Sequence, residues 1–213
     1  MKITQIRMEH EIFSNCFLVA DEETGEAAIV DPGWYEVSIP AVLAENPELK
    51  LKYILLTHGH FDHILGVHGL KEASGAKVVI HKSDAEHLLD PEKSLCEGNF
   101  PEPQTPVKAD VLVSEGDIIR LGNEEIKVMS TPGHTRGSVC YILEKDRVIF
   151  SGDTLFCMTA GRTDFFDGSE SDLKKSLRRL TEIEGDYRVL PGHNRETTLE
   201  RERTRNWYIR RMG

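Results

Sequence analysis

Thr57-His58-Gly59-His60-Phe61-Asp62-His63 is the stretch whose reading decides the fold. His58, His60, Asp62 and His63 are ligand-type side chains packed directly behind the uncharged apolar run at residues 53–56. Side chains at alternate positions of an extended chain point the same way, so His58 and His60 can reach one metal ion together. Asp62 and His63 follow past the turn, where the chain can present them to a different ion. Imidazole and carboxylate suit zinc, iron or manganese. The ordinary alternative is a polar loop behind a buried strand, and this density of ligands argues against it.

Outward from this loop, strands and helices alternate. Upstream, short apolar runs at 3–8, 15–20 and 27–30 read as a meander, and Asp31-Pro32-Gly33 ends the third with turn chemistry. Residues 37–45 carry weak helical spacing. Residues 52–57 read as the strand that delivers the loop, 64–73 as a helix and 77–80 as another strand. Ser83-x-x-Glu86 predicts a capping box for a short helix through Leu89. Residues 90–110, with Pro91, Pro101, Pro103 and Pro106, form one long irregular connection, a length usually tied to function or mobility. Strands follow at 111–113, 118–121, 125–130, 139–143 and 147–150, then a helix at 171–183, a strand at 187–190 and a helical tail after Thr198. This order suggests sheet layers flanked by helices.

Three more ligand types stand at strand ends, each behind a glycine that lets the chain turn and approach closely. They are His134 in Thr131-Pro132-Gly133-His134, Asp153 in Ser151-Gly152-Asp153 and His193 in Pro191-Gly192-His193. Convergence of ligands from the ends of several strands is how a sheet builds a site. His10, His68, His81 and His87 lack this context and read as surface or packing residues.

The chain has 213 residues, enough for one domain over 1–213 with a substantial core. A net charge of −10 argues against a nucleic-acid surface, which needs basic stripes. No run approaches the about 18 apolar residues of a membrane span, and no export signal is visible at the start. Cys16, Cys96, Cys140 and Cys157 are widely spaced without a C-x-x-C pair. Together these predict reduced thiols in a cytoplasmic protein.

At His58-Gly-His60-Phe-Asp62-His63, Pro132-Gly-His134, Ser151-Gly-Asp153-Thr-Leu-Phe156, Gly161-Arg162-Thr-Asp-Phe165 and Pro191-Gly-His193 the chain resembles the metallo-β-lactamase fold superfamily. Within it the similarity is to short bacterial glyoxalase II-like, or hydroxyacylglutathione hydrolase-like, enzymes. Asn15-Cys16 and Val30-Asp31-Pro-Gly33 match too. The resemblance implies an α/β fold, a four-layer αββα sandwich of two mixed sheets. It implies two divalent metal ions, zinc first, with iron or manganese as alternatives. His58, His60 and His134 would hold the first ion, Asp62, His63 and His193 the second, with Asp153 bridging. Two ions about 3.5–4 Å apart share a water and lower its pKa, giving a metal-bridging hydroxide; the resemblance implies a small-molecule thioester such as S-lactoylglutathione as the substrate. Asp62 and Asp153 would be the catalytic carboxylates, Asp62 orienting the nucleophile. No Ser-His-Asp triad is needed, and no nucleophile elbow is present. Longer relatives carry a further C-terminal helical domain, expected to be missing from a chain that stops at Gly213.

Two rivals remain at this point. One is a persulfide dioxygenase with a single iron on His58, His134 and Asp153; the other is a non-catalytic member that binds metal for stability alone. Arg162 is either a contact for a substrate carboxylate or an ion-pair partner of Asp164. The Arg-rich tail 195–211 reads as a solvated helix with i,i+4 pairs rather than an RNA surface, with Trp207 and Tyr208 packed down.

Overall fold

The computed structural model describes residues 1–8, 10 and 12–212. The first sheet runs, in spatial and chain order, β1 (Lys2–Ile6), β2 (Cys16–Ala20), β3 (Glu26–Val30), β4 (Lys50–Leu55), β5 (Lys77–His81) and β6 (Val111–Val113). The second sheet is built from β7 (Ile118–Leu121), β8 (Glu124–Ser130), β9 (Val139–Leu143), β10 (Val148–Gly152), β13 (Arg188–Pro191) and β14 (Thr197–Thr198). Its spatial order is β14-β13-β10-β9-β8-β7. A small hairpin, β11 (Leu155–Phe156) with β12 (Thr159–Ala160), projects after β10. Both large sheets are mixed: β3, β4, β5 and β6 pair in parallel, as do β10 and β13.

Strand patterning explains the layers. Strands buried on both faces read as continuous apolar runs, and alternate residues enter different cores. On β2, Phe17 and Val19 face the second sheet, while Cys16, Leu18 and Ala20 face the outer helices. On β9, Val139, Tyr141 and Leu143 join that central core, and Cys140 and Ile142 turn outward. Outside the first sheet pack α1 (Ser38–Glu45), the one-turn α2 (Phe61–Ile64) and α3 (Val67–Ser74), through Ile39, Ile64, Val67 and Leu70. Outside the second pack α4 (Glu170–Thr181) and α5 (Leu199–Arg205), through Leu173, Leu177, Leu180 and Leu199. The architecture is the expected αββα sandwich. Among the described residues no helix is long and apolar enough to cross a membrane.

Local expectations for the 64–73 helix, the capping box, Trp207 and the tail are corrected. The helix read over 64–73 is two helices, α2 and α3, which separate where the Gly66 N–H donates to Pro32 O (2.9 Å) rather than along a helix. Asp62 and His63, past the turn as read, ride on α2. The capping box at Ser83-x-x-Glu86 does not form: the segment is a 3-10 helix, Lys82–Leu88, capped by His81 Nδ1 accepting the Ser83 N–H. In the tail, α6 (Trp207–Arg210) leaves Trp207 48% exposed, while Tyr208 packs on the core as expected. The tail is also less solvated than its charges suggest. Glu202 is fully buried, and Arg203 donates to Thr181 O and Gly185 O near the end of α4.

The long connection over 90–110 is irregular, as read, but pinned. Ser94 O accepts the Phe61 N–H (2.9 Å), and Gln104 Nε2 donates to His87 O (2.7 Å).

Candidate metal centre

Every sequence-derived ligand lies at one end of the sandwich, just beyond a strand. His58 and His60 follow β4, with Asp62 and His63 on α2; His134 follows β8, Asp153 follows β10 and His193 follows β13. The loop from β4 is set by Asp31, at the end of β3. Its Oδ1 accepts the Thr57 N–H (2.8 Å) and its Oδ2 the Thr57 hydroxyl (2.7 Å). Asp153 is aimed by Gly152, whose φ of +47° only glycine adopts freely, and a Cβ there would overlap the Thr57 side chain. The His193 loop is tethered by Asn15, whose Nδ2 donates to Pro191 O (3.0 Å) and Asn194 O (2.8 Å).

The expected first triad is assembled. His60 Nδ1 lies 3.1 Å from His58 Nε2 and 2.9 Å from His134 Nε2. His134 Nδ1 donates to Arg162 O (2.8 Å), which leaves the lone pair on Nε2, facing inward. The second triad is assembled as well. His193 Nε2 is 3.0 Å from Asp62 Oδ2 and 3.3 Å from His63 Nε2. His63 Nδ1 donates to Asp31 Oδ2 (3.0 Å), again turning Nε2 toward the cluster. Asp153 stands between the two: Oδ1 is 3.5 Å from His63 Nε2, and Oδ2 is 3.4 Å from His134 Nε2 and 3.8 Å from His193 Nε2. His58, His63 and Asp153 also converge as a trio, so the halves form one continuous cluster.

Electrostatics divides the cluster in two. Burial, with the neighbouring imidazoles, holds His58 well below the ordinary histidine range and pushes His60 down to about 3. Burial opposes the charge on His63 too, but Asp31, Asp62 and Asp153 outweigh it and raise His63 well above that range. Asp153 is likewise buried, yet His63, His134 and His193 hold its carboxyl well below the usual carboxylate range.

The donor set fits divalent cations. Ring nitrogens of three buried histidines crowd one point in the first triad, where protons cannot serve all of them. The buried Asp153 Oδ1 has no hydrogen-bond partner. Each group of three keeps its ligand atoms within 4.8 Å of one another. A cation resolves both the crowding and the orphaned oxygen.

A cavity of about 460 Å³ opens over the cluster, walled by Phe61, Leu95, Phe156 and Phe165, with Arg162 at its edge. Arg162 meets both sequence expectations in part. It borders the cavity, and it also donates to Asp164 through Nε (2.7 Å) and Nη2 (2.6 Å), with its guanidinium 4.5 Å from the Phe165 ring centroid.

Four residues of this neighbourhood escape a reading of the sequence. Asp31 looks like a turn residue because Pro-Gly follows it. Asp84, Asp167 and His87 form a further buried group beside the first triad. His87, expected to be ordinary packing, pairs with Asp167 (Nε2 to Oδ2, 3.4 Å), and its basicity is raised by that carboxylate and Asp84 despite burial. The spacing Asp84-x-x-His87 on a short helix is the one signal that was available.

The family model described as Metallo-beta-lactamase superfamily matches residues 11–193. The chain belongs to that superfamily. An uncharacterized protein of Aquifex aeolicus (strain VF5) is 40% identical over 193 residues, covering 90% of each chain. Hydroxyacylglutathione hydrolase GloC of Haemophilus influenzae is 33% identical over 198 residues, covering 92% of each. Among solved structures, BLEG-1 B3 metallo-β-lactamase is similar with a TM-score of 0.88 at 30% identity, over 98% of this chain and 99% of that one. TTHA1623 in a di-iron-bound form has a TM-score of 0.82 at 30% identity, over 96% and 99%.

Proposed function

We propose that the protein is a metal-dependent hydrolase of small-molecule thioesters, such as S-lactoylglutathione or a related acyl-thiol. The observation that carries this reading is Asp153, set between the two ligand groups with Oδ2 toward His134 of one and His193 of the other, and Oδ1 toward His63. Two divalent cations, zinc first, with His58, His60 and His134 on one and Asp62, His63 and His193 on the other, would supply a water of lowered pKa and polarise a carbonyl.

The remaining work falls to the chain itself. Asp62 borders the cavity beside His193, where it orients the attacking water and takes its proton. Phe165 covers the first triad edge-on, 5.0 Å from the His60 ring and 5.7 Å from the His134 ring, and excludes bulk water there. Arg162 is the one cationic side chain other than histidine among the described residues lining the cavity, and it already serves Asp164. A substrate with a good leaving group suits such a site, and a thiolate needs little help from a general acid. Similarity to the Haemophilus influenzae hydroxyacylglutathione hydrolase supports the same class.

The test is metal analysis of purified protein followed by S-lactoylglutathione hydrolysis with that same sample. Two equivalents of metal with thioester cleavage are expected. One iron per chain with oxygen consumption on glutathione persulfide would overturn the hydrolase in favour of a dioxygenase. Bound metal with no turnover of any thioester would leave a metal-stabilised, non-catalytic protein.

A further inference from the structure

The 3-10 helix Lys82–Leu88 and the loop at 161–168 meet beside the first triad, and one buried pair joins them. His87 is 4% exposed, with Nε2 3.4 Å from Asp167 Oδ2. Phe166 stacks over the imidazole, with centroids 6.1 Å apart and planes 21° apart. The other side of His87 is wedged against the ligand loop, since a Cβ at Gly59 would overlap it. Asp84 ties the same helix to both ligand loops: it accepts from Gly59 N–H (3.1 Å), Gly137 N–H (2.6 Å) and the Thr135 hydroxyl (2.6 Å). The helix is therefore a fixed post.

The 161–168 loop is what the post can hold. It presents Phe165 to the rings of His60 and His134, and its Arg162 carbonyl accepts from His134 Nδ1. Asp167 lies two residues beyond Phe165, and the Gly168 N–H donates to Phe165 O (3.0 Å), so anchoring Asp167 anchors Phe165. Neither His87 nitrogen nor Asp167 Oδ1 has a hydrogen bond of good geometry to another group. Asp167 is also held by the Arg136 backbone N–H, and Asp84 also acts on His87. The His87–Asp167 pair is nonetheless the side-chain link between the post and the loop, and removing one partner leaves the other a buried polar group that is relieved by moving the loop.

We infer that His87 and Asp167 form a positioning latch holding the 161–168 loop, with Phe165 and the Arg162 carbonyl, against the first triad. The latch rests on the proposed hydrolase only for its kinetic readout. Ligand atoms of Asp84, His87 and Asp167 also lie within 4.8 Å of one another, close enough for a cation. Three donors already engage the Asp84 carboxylate, which favours the latch over a third ion.

The experiment compares Asp167→Asn and His87→Gln with the parent protein, all zinc-loaded, by backbone hydrogen exchange, metal content and thioester kinetics. Exchange should rise at 161–168 while the central strands stay protected. KM should rise about tenfold with kcat changed less, because the loop lines the cavity rather than entering the reaction. Unchanged exchange at 161–168 in both variants overturns the latch, and so does a rise spread evenly over the chain. A third equivalent of zinc in the parent, lost in Asp167→Asn, overturns it in favour of a metal site. Failure of the parent to cleave thioesters overturns the hydrolase, while the exchange data still decide the latch.

Discussion

Asp153 reaches both halves of the candidate centre, facing His63, His134 and His193 together. Asp153→Ala should lose bound metal and activity together, read by elemental analysis and turnover; two equivalents of metal retained would refute its bridging place. Asp31 acts one step back. It fixes Thr57 through two hydrogen bonds and sets the His63 tautomer. Asp31→Asn should weaken metal affinity about 10- to 100-fold, measured by chelator competition, with the loss confined to one of the two equivalents. Unaltered affinity for both would show that Asp31 shapes the loop only. The difference between these two residues also explains what was legible. His58, His60, Asp62 and His63 crowd one loop, and His134, Asp153 and His193 each follow a glycine at a strand end, so local pattern reveals them. Asp31 and His87 act on partners distant in sequence, and nothing local separates such a residue from a turn or a packing position.

At the scale of elements, the tail was misread for a related reason. Its alternating charges look like a solvated helix, yet Glu202 is buried in α5. It accepts from the Thr197 hydroxyl (2.6 Å), Asn206 Nδ2 (2.7 Å) and the Met158 N–H (2.8 Å). Asn206 Nδ2 in turn donates to Thr159 O (3.0 Å). Through these contacts α5 holds the β11–β12 hairpin, which brings Phe156, Thr159 and Ala160 to the cavity wall. Glu202→Ala removes the shared acceptor of these three donors and should cost on the order of 3 kcal/mol of unfolding free energy, seen as a lower denaturant midpoint. A change below about 0.5 kcal/mol would place Glu202 among ordinary surface residues. Another tie joins α3 to the edge of the first sheet. Asp110 accepts from Lys71 Nζ (2.8 Å) and the Val78 N–H (2.8 Å); burial opposes its charge, but these donors prevail and lower its pKa. A depressed carboxylate stabilises the fold above its unfolded pKa, near 3.9, and that contribution is lost as pH falls through the folded value. The stability gap between the parent and Asp110→Asn should therefore close below about pH 4, as followed by acid-series thermal melts; a gap independent of pH would remove the ion pair from the account.

At the scale of the molecule, continuous apolar runs made the two sheets visible, because strands covered on both faces must be apolar throughout. Membership of one sheet or the other was not visible, since a strand such as β2 offers acceptable faces to both cores. The resemblance implied two mixed sheets face to face, and the structure shows which strands form each. The ligands then gain a second role from topology. His58, His60, Asp62 and His63 hang from the first sheet, whereas His134, Asp153 and His193 hang from the second. Each ligand triad therefore draws on both sheets, and bound cations would fasten the open end of the sandwich. Without them, crowded imidazoles and buried carboxylates face one another at the seam between the sheets. Binding to the folded state alone at about 1,000 times Kd stabilises by about 4 kcal/mol. For a chain of this size that corresponds to roughly 10 °C in Tm. Calorimetry of chelator-treated protein against protein resupplied with zinc should show that difference, and a second, smaller step should appear when only one equivalent is returned. Identical melting with and without metal would mean that hydrogen bonds and apolar packing alone close the seam, leaving the cations no structural part.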